Sequence, residues 1–244
     1  MAVVRSIFII RHGEKPPDGQ NGLDVFGNGN RHSLIPRGWH RAAALETLFA
    51  PSRGPLPSGL VIPTQLIAPD YDAPMPNIDE TSQASQRSGS NIEPEAKPPG
   101  SNIEHRTSQT ILPLARLTGL SILTHIKDAK GRPVHSKEGN EPAIGAAVAA
   151  ETTSATLICW EHTAIYDIAS NIKPVSNGDK IPKVWDKTRF DVIYSFTRSS
   201  ASGPYSFSQI LQRLFPDDPN TPMKDAVAAT DLSGNPAATS LPQL

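Results

Sequence analysis

The sequence predicts an α/β fold, a three-layer αβα sandwich around a mainly parallel central sheet. Three observations predict it. Two short, continuous apolar runs, "SIFII" (6–10) and "TLICW" (156–160), have the character of strands covered on both faces. Stretches with helical patterning lie between the strand-like ones, and strand, helix, strand, helix in chain order makes a parallel sheet with helices on both sides. The length, 244 residues, suits one α/β domain and is short for two.

Taken in order, the first strand at 6–10 stops at the charged cluster "RHGEK" (11–15). A helix follows from Pro36 in "PRGWHRAAALETLFA" (36–50), where proline suits the first helical turn. From about 70 to 104 the chain is rich in Pro, Ser, Asn, Gln and Glu without apolar periodicity, and reads as a long polar insertion. Within it "GSNIE" occurs twice, at 89–93 and 100–104, a local duplication too small for a repeat architecture. A second helix, "HRTSQTILPLARLTG" (105–119), runs to a terminating Gly119. Then come a β-rich "SILTHI" (121–126), a helix in "EPAIGAAVAAE" (141–151), the apolar strand at 156–160, a helix in "TAIYDIASNI" (163–172) and a strand in "DVIYSF" (191–196). The domain is expected to span 1–216, with 217–244 a polar, proline-containing, poorly ordered tail.

Composition narrows the function classes. A 37% hydrophobic share supplies a core, while 24 prolines say that much of the chain is loop. The net charge of -1 gives no electrostatic reason to expect nucleic acid or a membrane surface as partner. One cysteine, Cys159, excludes an internal disulfide framework and a thiolate metal cluster. The opening apolar run is too short for a signal-peptide core or a membrane span, so cytoplasmic is the expected location. There is no Walker loop, GxGxxG, GxSxG or HExxH, and His32, His40, His105, His125 and His135 show no metal-ligand spacing.

In a parallel sheet, ligands sit at the carboxyl ends of the strands. Arg11 and His12 fall at the end of the first strand, and His162 falls just past the end of "TLICW". Arg106 opens the helix at 105–119. With "LIPRGWHRAAALETLF" (34–49), "HRTSQTILPLARLTGL" (105–120), "TLICWEHTAI" (156–165) and "WDKTRFDVIYSF" (185–196), these residues resemble the histidine phosphatase superfamily, the phosphoglycerate-mutase-like fold, whose members carry Arg-His-Gly after the first strand. The resemblance covers most of the chain. It implies His12 as nucleophile, with Arg11, Arg106 and His162 completing a phosphate pocket, and it implies no metal and no organic cofactor.

The chemistry explains the residue types. A phosphate monoester carries close to two negative charges, which two guanidinium forks neutralise and orient. A neutral imidazole then attacks in line, and the phosphohistidine divides one hard displacement into two easier ones. His162, held protonated by the bound anion, stabilises charge on the transferring oxygens, and Gly13 lets the backbone turn close beneath the phosphate. The blander readings are a surface ion-pair cluster of Arg11, His12 and Glu14, a structural His162 beside Glu161, and an Arg106 that caps its helix or pairs with Glu104. Arg87 is a weaker rival for the second guanidinium. The proton donor to the leaving group is left open among Asp128, Glu138, Glu141 and Glu14.

The expected activity is hydrolysis of phosphate monoesters or related phosphorylated small molecules. One alternative is a mutase, which returns the phosphoryl group to a bound product. Another is a non-catalytic relative that binds a phospho-ligand or a partner protein. Substrate and oligomeric state do not follow from the sequence.

Overall fold

The computed structural model describes residues 5–71, 105–152 and 154–224. Nearly all of the expected insertion, the duplicated "GSNIE", Arg87 and the tail beyond 224 lie outside the described residues.

The strands are β1 (Arg5–Arg11), β2 (Gly22–Leu23), β3 (Gly29–Asn30), β4 (Gln65–Ile67), β5 (Ile122–Leu123), β6 (His125–Lys127), β7 (Pro133–His135), β8 (Ala155–Trp160), β9 (Val192–Arg198) and β10 (Ser206–Leu211). The helices are α1 (Pro36–Phe49), α2 (Arg106–Thr118), α3 (Glu141–Ala150) and α4 (Ile165–Ala169). Six strands form one sheet in the order β10-β9-β1-β8-β4-β5, and β2/β3 and β6/β7 are separate two-stranded hairpins. β1, β8, β4 and β5 pair in parallel, while β9 runs antiparallel to both β1 and β10.

The apolar runs of β1 and β8 are buried at every position because each strand feeds two cores. Phe8, Ile10, Leu157 and Cys159 point to one side, where they pack with Leu45 and Phe49 of α1 and Ile111 and Leu114 of α2. Ile7, Ile9, Ile158 and Trp160 point to the other, against Ile144 and Val148 of α3 and Ile165 and Ile168 of α4. Helices therefore cover both faces, and the three-layer sandwich expected from the sequence is present.

Two strands of the sheet escaped the sequence reading. β4 is three residues long and lies between Pro63 and Pro69; β10 has exposed Ser206 and Ser208 on one side and reads as polar. "SILTHI" is divided between sheet strand β5 and hairpin strand β6, and α4 is shorter than the 163–172 pattern suggested. The predicted stop at Gly119 holds: it is left-handed (φ 70°) and its N–H donates to Ala115 O. Residues 217–224, assigned to a loose tail, are fastened to the domain. Asp217 and Asp218 pair with Arg37 and Arg41 of α1, Thr221 O accepts from Arg189, and Met223 is buried. Among the described residues no helix is long and apolar enough to cross a membrane.

The register decides where the ends of the central strands meet. Arg11 lies opposite Trp160, so residues 12 and 161 leave the sheet side by side, and the His12 N–H donates to Trp160 O at 3.2 Å. From β1 the chain crosses to α1 on one face, and from β8 to α4 on the other. A crevice opens between strands where the connections diverge in this way.

Candidate active site

His12 is fully buried at the carboxyl end of β1. Its Nδ1 lies 2.6 Å from the Gly13 carbonyl oxygen, which accepts the Nδ1 proton and leaves Nε2 as the atom turned to the crevice. The loop beneath is pinned twice. The Gly13 N–H donates to Thr110 Oγ1 at 2.8 Å, and that hydroxyl donates to Arg106 O at 2.7 Å. Gly13 and Gly38 also press backbone to backbone: a Cβ on Gly38 would fall 2.5 Å from Glu14 O, and one on Gly13 would fall 3.0 Å from Gly38 O. Gly13 thus lies close against α1, a contact that adds to the turn beneath a phosphate expected from the sequence.

Arg11, the last residue of β1, is 2% exposed. Its Nη1 donates to Lys187 O (2.5 Å) and Arg189 O (3.2 Å), and its guanidinium lies 4.0 Å over the Phe190 ring. Among the described residues its Nε has no partner. Burial pulls it down to about 10; Glu161 opposes that, Arg106 adds to it, and the group remains charged at neutral pH. The segment 185–191, read from sequence as the approach to a strand, therefore supplies the carbonyls and the ring that seat this arginine.

Arg106 is the first residue of α2. Its backbone N–H donates to His32 O and its Nη1 to Arg31 O (3.2 Å), so the chain just before α1 holds it from behind. Gln109, one turn on, fastens the same segment, accepting from the Leu34 N–H at 2.8 Å and donating to Ser33 Oγ at 2.9 Å. The Arg-Thr-Ser-Gln-Thr stretch thus combines one site residue with two anchors. Tyr71 stacks on His105 at 3.9 Å, forming an aromatic wall beside Arg106.

His162 follows directly, half-buried, with a buried Nδ1 that has no partner. Burial and Arg11 push it down to about 4 against the opposing pull of Glu161, so the imidazole is uncharged at neutral pH. A ring nitrogen of His12, one of His162 and a Glu161 oxygen lie within 4.8 Å of one another. Those three donors are close enough to share one divalent ion, but the charges of Arg11 and Arg106 bear on the same space and bias it towards an anion. All four residues singled out in the sequence, Arg11, His12, Arg106 and His162, are brought together.

The residue that sequence reasoning missed is Glu161. Its Oε2 lies 3.1 Å from His12 Nε2 and its Oε1 3.4 Å from Arg106 Nη2. Burial alone would raise this carboxyl; the hydrogen bond and charge of His12, then Arg106 and His162, outweigh it and hold it at about 2. The strand-end rule that selects His12, the first residue after β1, selects Glu161 equally as the first residue after β8.

The candidate proton donors separate by position. Glu14 is locked against α1, accepting from Arg41 at 2.8 Å and from Arg37 at 3.1 Å, so the ion-pair cluster with Arg11 and His12 does not form. Asp128 sits in the turn of the β6/β7 hairpin, bound to Arg132 Nε at 2.7 Å. Glu138 and Glu141 line a cavity of about 90 Å³ that also reaches Tyr71, Glu161 and Thr163. Glu141 accepts from Trp160 Nε1 at 3.2 Å, whereas Glu138 is exposed. Cys159 is buried, and burial pushes its thiol well up.

No protein-family profile and no curated protein matches the chain. Among solved structures it is similar to phosphohistidine phosphatase SixA from Nakamurella multipartitia (13% identity, TM-score 0.37, covering 84% of this chain and 94% of that one). It is also similar to a mycobacterial glucosyl-3-phosphoglycerate phosphatase (13%, TM-score 0.39, 85% and 98%) and to a mycobacterial hydrolase (12%, TM-score 0.41, 84% and 97%). Likenesses this loose carry no argument about chemistry, and the reading of the site rests on its own residues.

Proposed function

We propose that the protein is a phosphatase of the histidine phosphatase type, which hydrolyses small phosphorylated molecules through a phosphohistidine at His12. The observation that carries this reading is the convergence of two guanidinium groups and two imidazoles at the adjoining ends of β1 and β8. In that crevice His12 Nδ1 is already bound to a backbone carbonyl and Nε2 faces a carboxylate.

In the proposed first step, the Nε2 lone pair attacks phosphorus, the P–N bond forms, and the bond to the leaving oxygen breaks as a proton reaches that oxygen. In the second, water attacks phosphorus while the carboxylate that gave its proton in the first step takes one from the water, the P–N bond breaks, and phosphate is released with His12 and the donor regenerated. Arg11 and Arg106 neutralise the non-bridging oxygens. His162, uncharged at neutral pH, takes up a proton as the dianion arrives. Glu138 is the favoured donor to the leaving oxygen, because it lines the neighbouring cavity and nothing among the described residues fixes its carboxylate, whereas Glu141 is engaged by Trp160. No step requires a metal.

The test is hydrolysis of an aryl phosphate in the presence of a chelator. Wild-type protein should release phosphate, and His12→Ala should lower turnover by at least about a thousandfold, the scale on which loss of a nucleophile acts, with its circular dichroism unchanged. Full activity in His12→Ala would remove the assigned nucleophile. Isomerisation of a substrate with little net phosphate release would instead indicate the mutase, and binding without turnover the non-catalytic relative.

A further inference from the structure

Two acceptors face the His12 ring: the Gly13 carbonyl at Nδ1 (2.6 Å) and the Glu161 carboxylate at Nε2 (3.1 Å). A neutral imidazole carries one N–H and can satisfy only one of them. The second contact therefore needs a second proton, shared between Nε2 and Oε2. The same carboxylate reaches Arg106 through its other oxygen. It thus makes, from within the chain, the two contacts that a substrate phosphoryl group would make.

We propose that Glu161 is a built-in competitor for the anion site, a carboxylate that caps His12 Nε2 and occupies Arg106 until a phosphorylated ligand displaces it. This deepens the function proposed above and rests on it for the identity of the ligand. The residue has somewhere to go: 32% of its side-chain surface is exposed, and it forms part of the wall of the adjoining cavity. Two further groups await an acceptor that the carboxylate does not reach, Arg11 Nε and Arg106 Nε, both buried and unpartnered. A carboxylate has two oxygens and a phosphate four, so the larger anion can keep both contacts of Glu161 and add others. Inorganic phosphate takes its place, with its oxygens accepting the Nε2–H and the Arg106 Nη2–H; in turnover of an ester that proton passes to a phosphoryl oxygen, which frees the Nε2 lone pair for attack.

The probe is inorganic phosphate, titrated calorimetrically at neutral pH in chelator into wild-type protein, Glu161→Gln and Glu161→Ala. Removing the competing charge should tighten phosphate binding about tenfold or more in both variants. Unchanged or weaker binding in a folded variant overturns the proposal, as does the absence of phosphate binding in all three proteins. Should neither variant fold, ¹⁵N spectra of the wild-type imidazoles decide the question. Saturating phosphate should move the His12 Nε2 resonance, as one acceptor replaces another, and leave that of Nδ1 on the Gly13 carbonyl in place; an Nε2 resonance that phosphate does not move overturns the proposal. Failure here is distinguishable from failure of the phosphatase reading. Tighter phosphate binding without aryl phosphate turnover keeps the competitor and removes the enzyme; His12-dependent turnover with unmoved phosphate affinity does the reverse.

Discussion

Two charged clusters grow from the same five residues, "RHGEK", and they are built on different terms. Glu14 turns to α1, where Arg41 is 2% exposed and every nitrogen of its guanidinium is paired, with Glu14, Asp218 and Gln212. Burial lowers Arg41, but the Asp218 and Glu14 hydrogen bonds more than offset it and hold the group above its ordinary value. Arg11 and His12 turn to β8. There Arg11 is as deeply buried, yet its Nε is unpartnered and the guanidinium is pulled below its ordinary value. The cluster that ties α1 to the fold pairs every nitrogen of its arginine, although the neutral Gln212 Nε2 beside it has no partner among the described residues. The cluster at β8 leaves a charged donor open, at a cost in stability, as the proposed anion site would.

Exchanging each arginine for methionine tests that contrast, and its effects should be the largest. Arg41→Met strands Glu14 and Asp218 in a buried position and should lower stability by about 3–5 kcal/mol, with turnover per folded molecule near wild type. Arg11→Met should show the opposite pattern. Its urea midpoint should move less than that of Arg41→Met, while turnover falls by about 100-fold or more, as on loss of a donor to a developing anion. Urea titration and phosphate release on the same samples measure both quantities, and a reversed pattern would undo the distinction.

That distinction was only half legible in the sequence. The charged residues at the strand ends were readable because a continuous apolar run such as "SIFII" announces a strand covered on both faces, and its end is where a parallel sheet binds ligands. Arg106 was legible through the resemblance of "RTSQT" to a known helix opening, since its place at a helix start fits a capping arginine equally well. The fate of Glu14 was not: it shares its partner Arg41 with Asp218, which lies about 200 residues away in a stretch whose prolines and polar residues disguise a fixed segment. Glu161 was hidden differently. A glutamate beside a histidine is commonplace, and only the register that places Arg11 opposite Trp160 aims it at His12. The seat of Arg11, two carbonyls and the Phe190 ring, depends on backbone path, which residue identities do not encode locally.

A pH experiment sharpens the contrast with a smaller effect. His162 is held at about 4, below the ordinary 6.5, so folding favours its neutral form. Its contribution to stability is complete above pH 6.5 and is lost as pH falls towards 4. Glu161, held at about 2 and below the ordinary carboxylate range, contributes fully above that range, and its contribution is lost as pH falls towards 2. Stability should therefore begin to fall below about pH 6.5, and His162→Gln should flatten the upper part of that fall without altering the part below pH 4. Adding phosphate should move the His162 titration, followed by its ring proton resonances, upward from about 4, because a bound anion favours the imidazolium. A midpoint that phosphate does not move would place His162 outside the anion's reach.

The smallest effects are expected at the acids that the site does not hold. Asp128 ties the β6/β7 turn through the Lys130 and Arg132 N–H groups and the Arg132 side chain, so its carboxylate is fully committed. Asp128→Asn should leave turnover unchanged for aryl and alkyl phosphates alike. Glu138→Gln should leave the aryl ester almost untouched, since a phenolate leaves without a proton, but slow the alkyl ester by about 10²–10⁴-fold, the usual contribution of a general acid. The ratio of the two rates is the decisive quantity, because a change in folding or in phosphate affinity scales both esters together. An unaltered ratio in Glu138→Gln, with a shifted one in the corresponding Glu141 variant, would transfer the proton to the carboxylate that Trp160 holds.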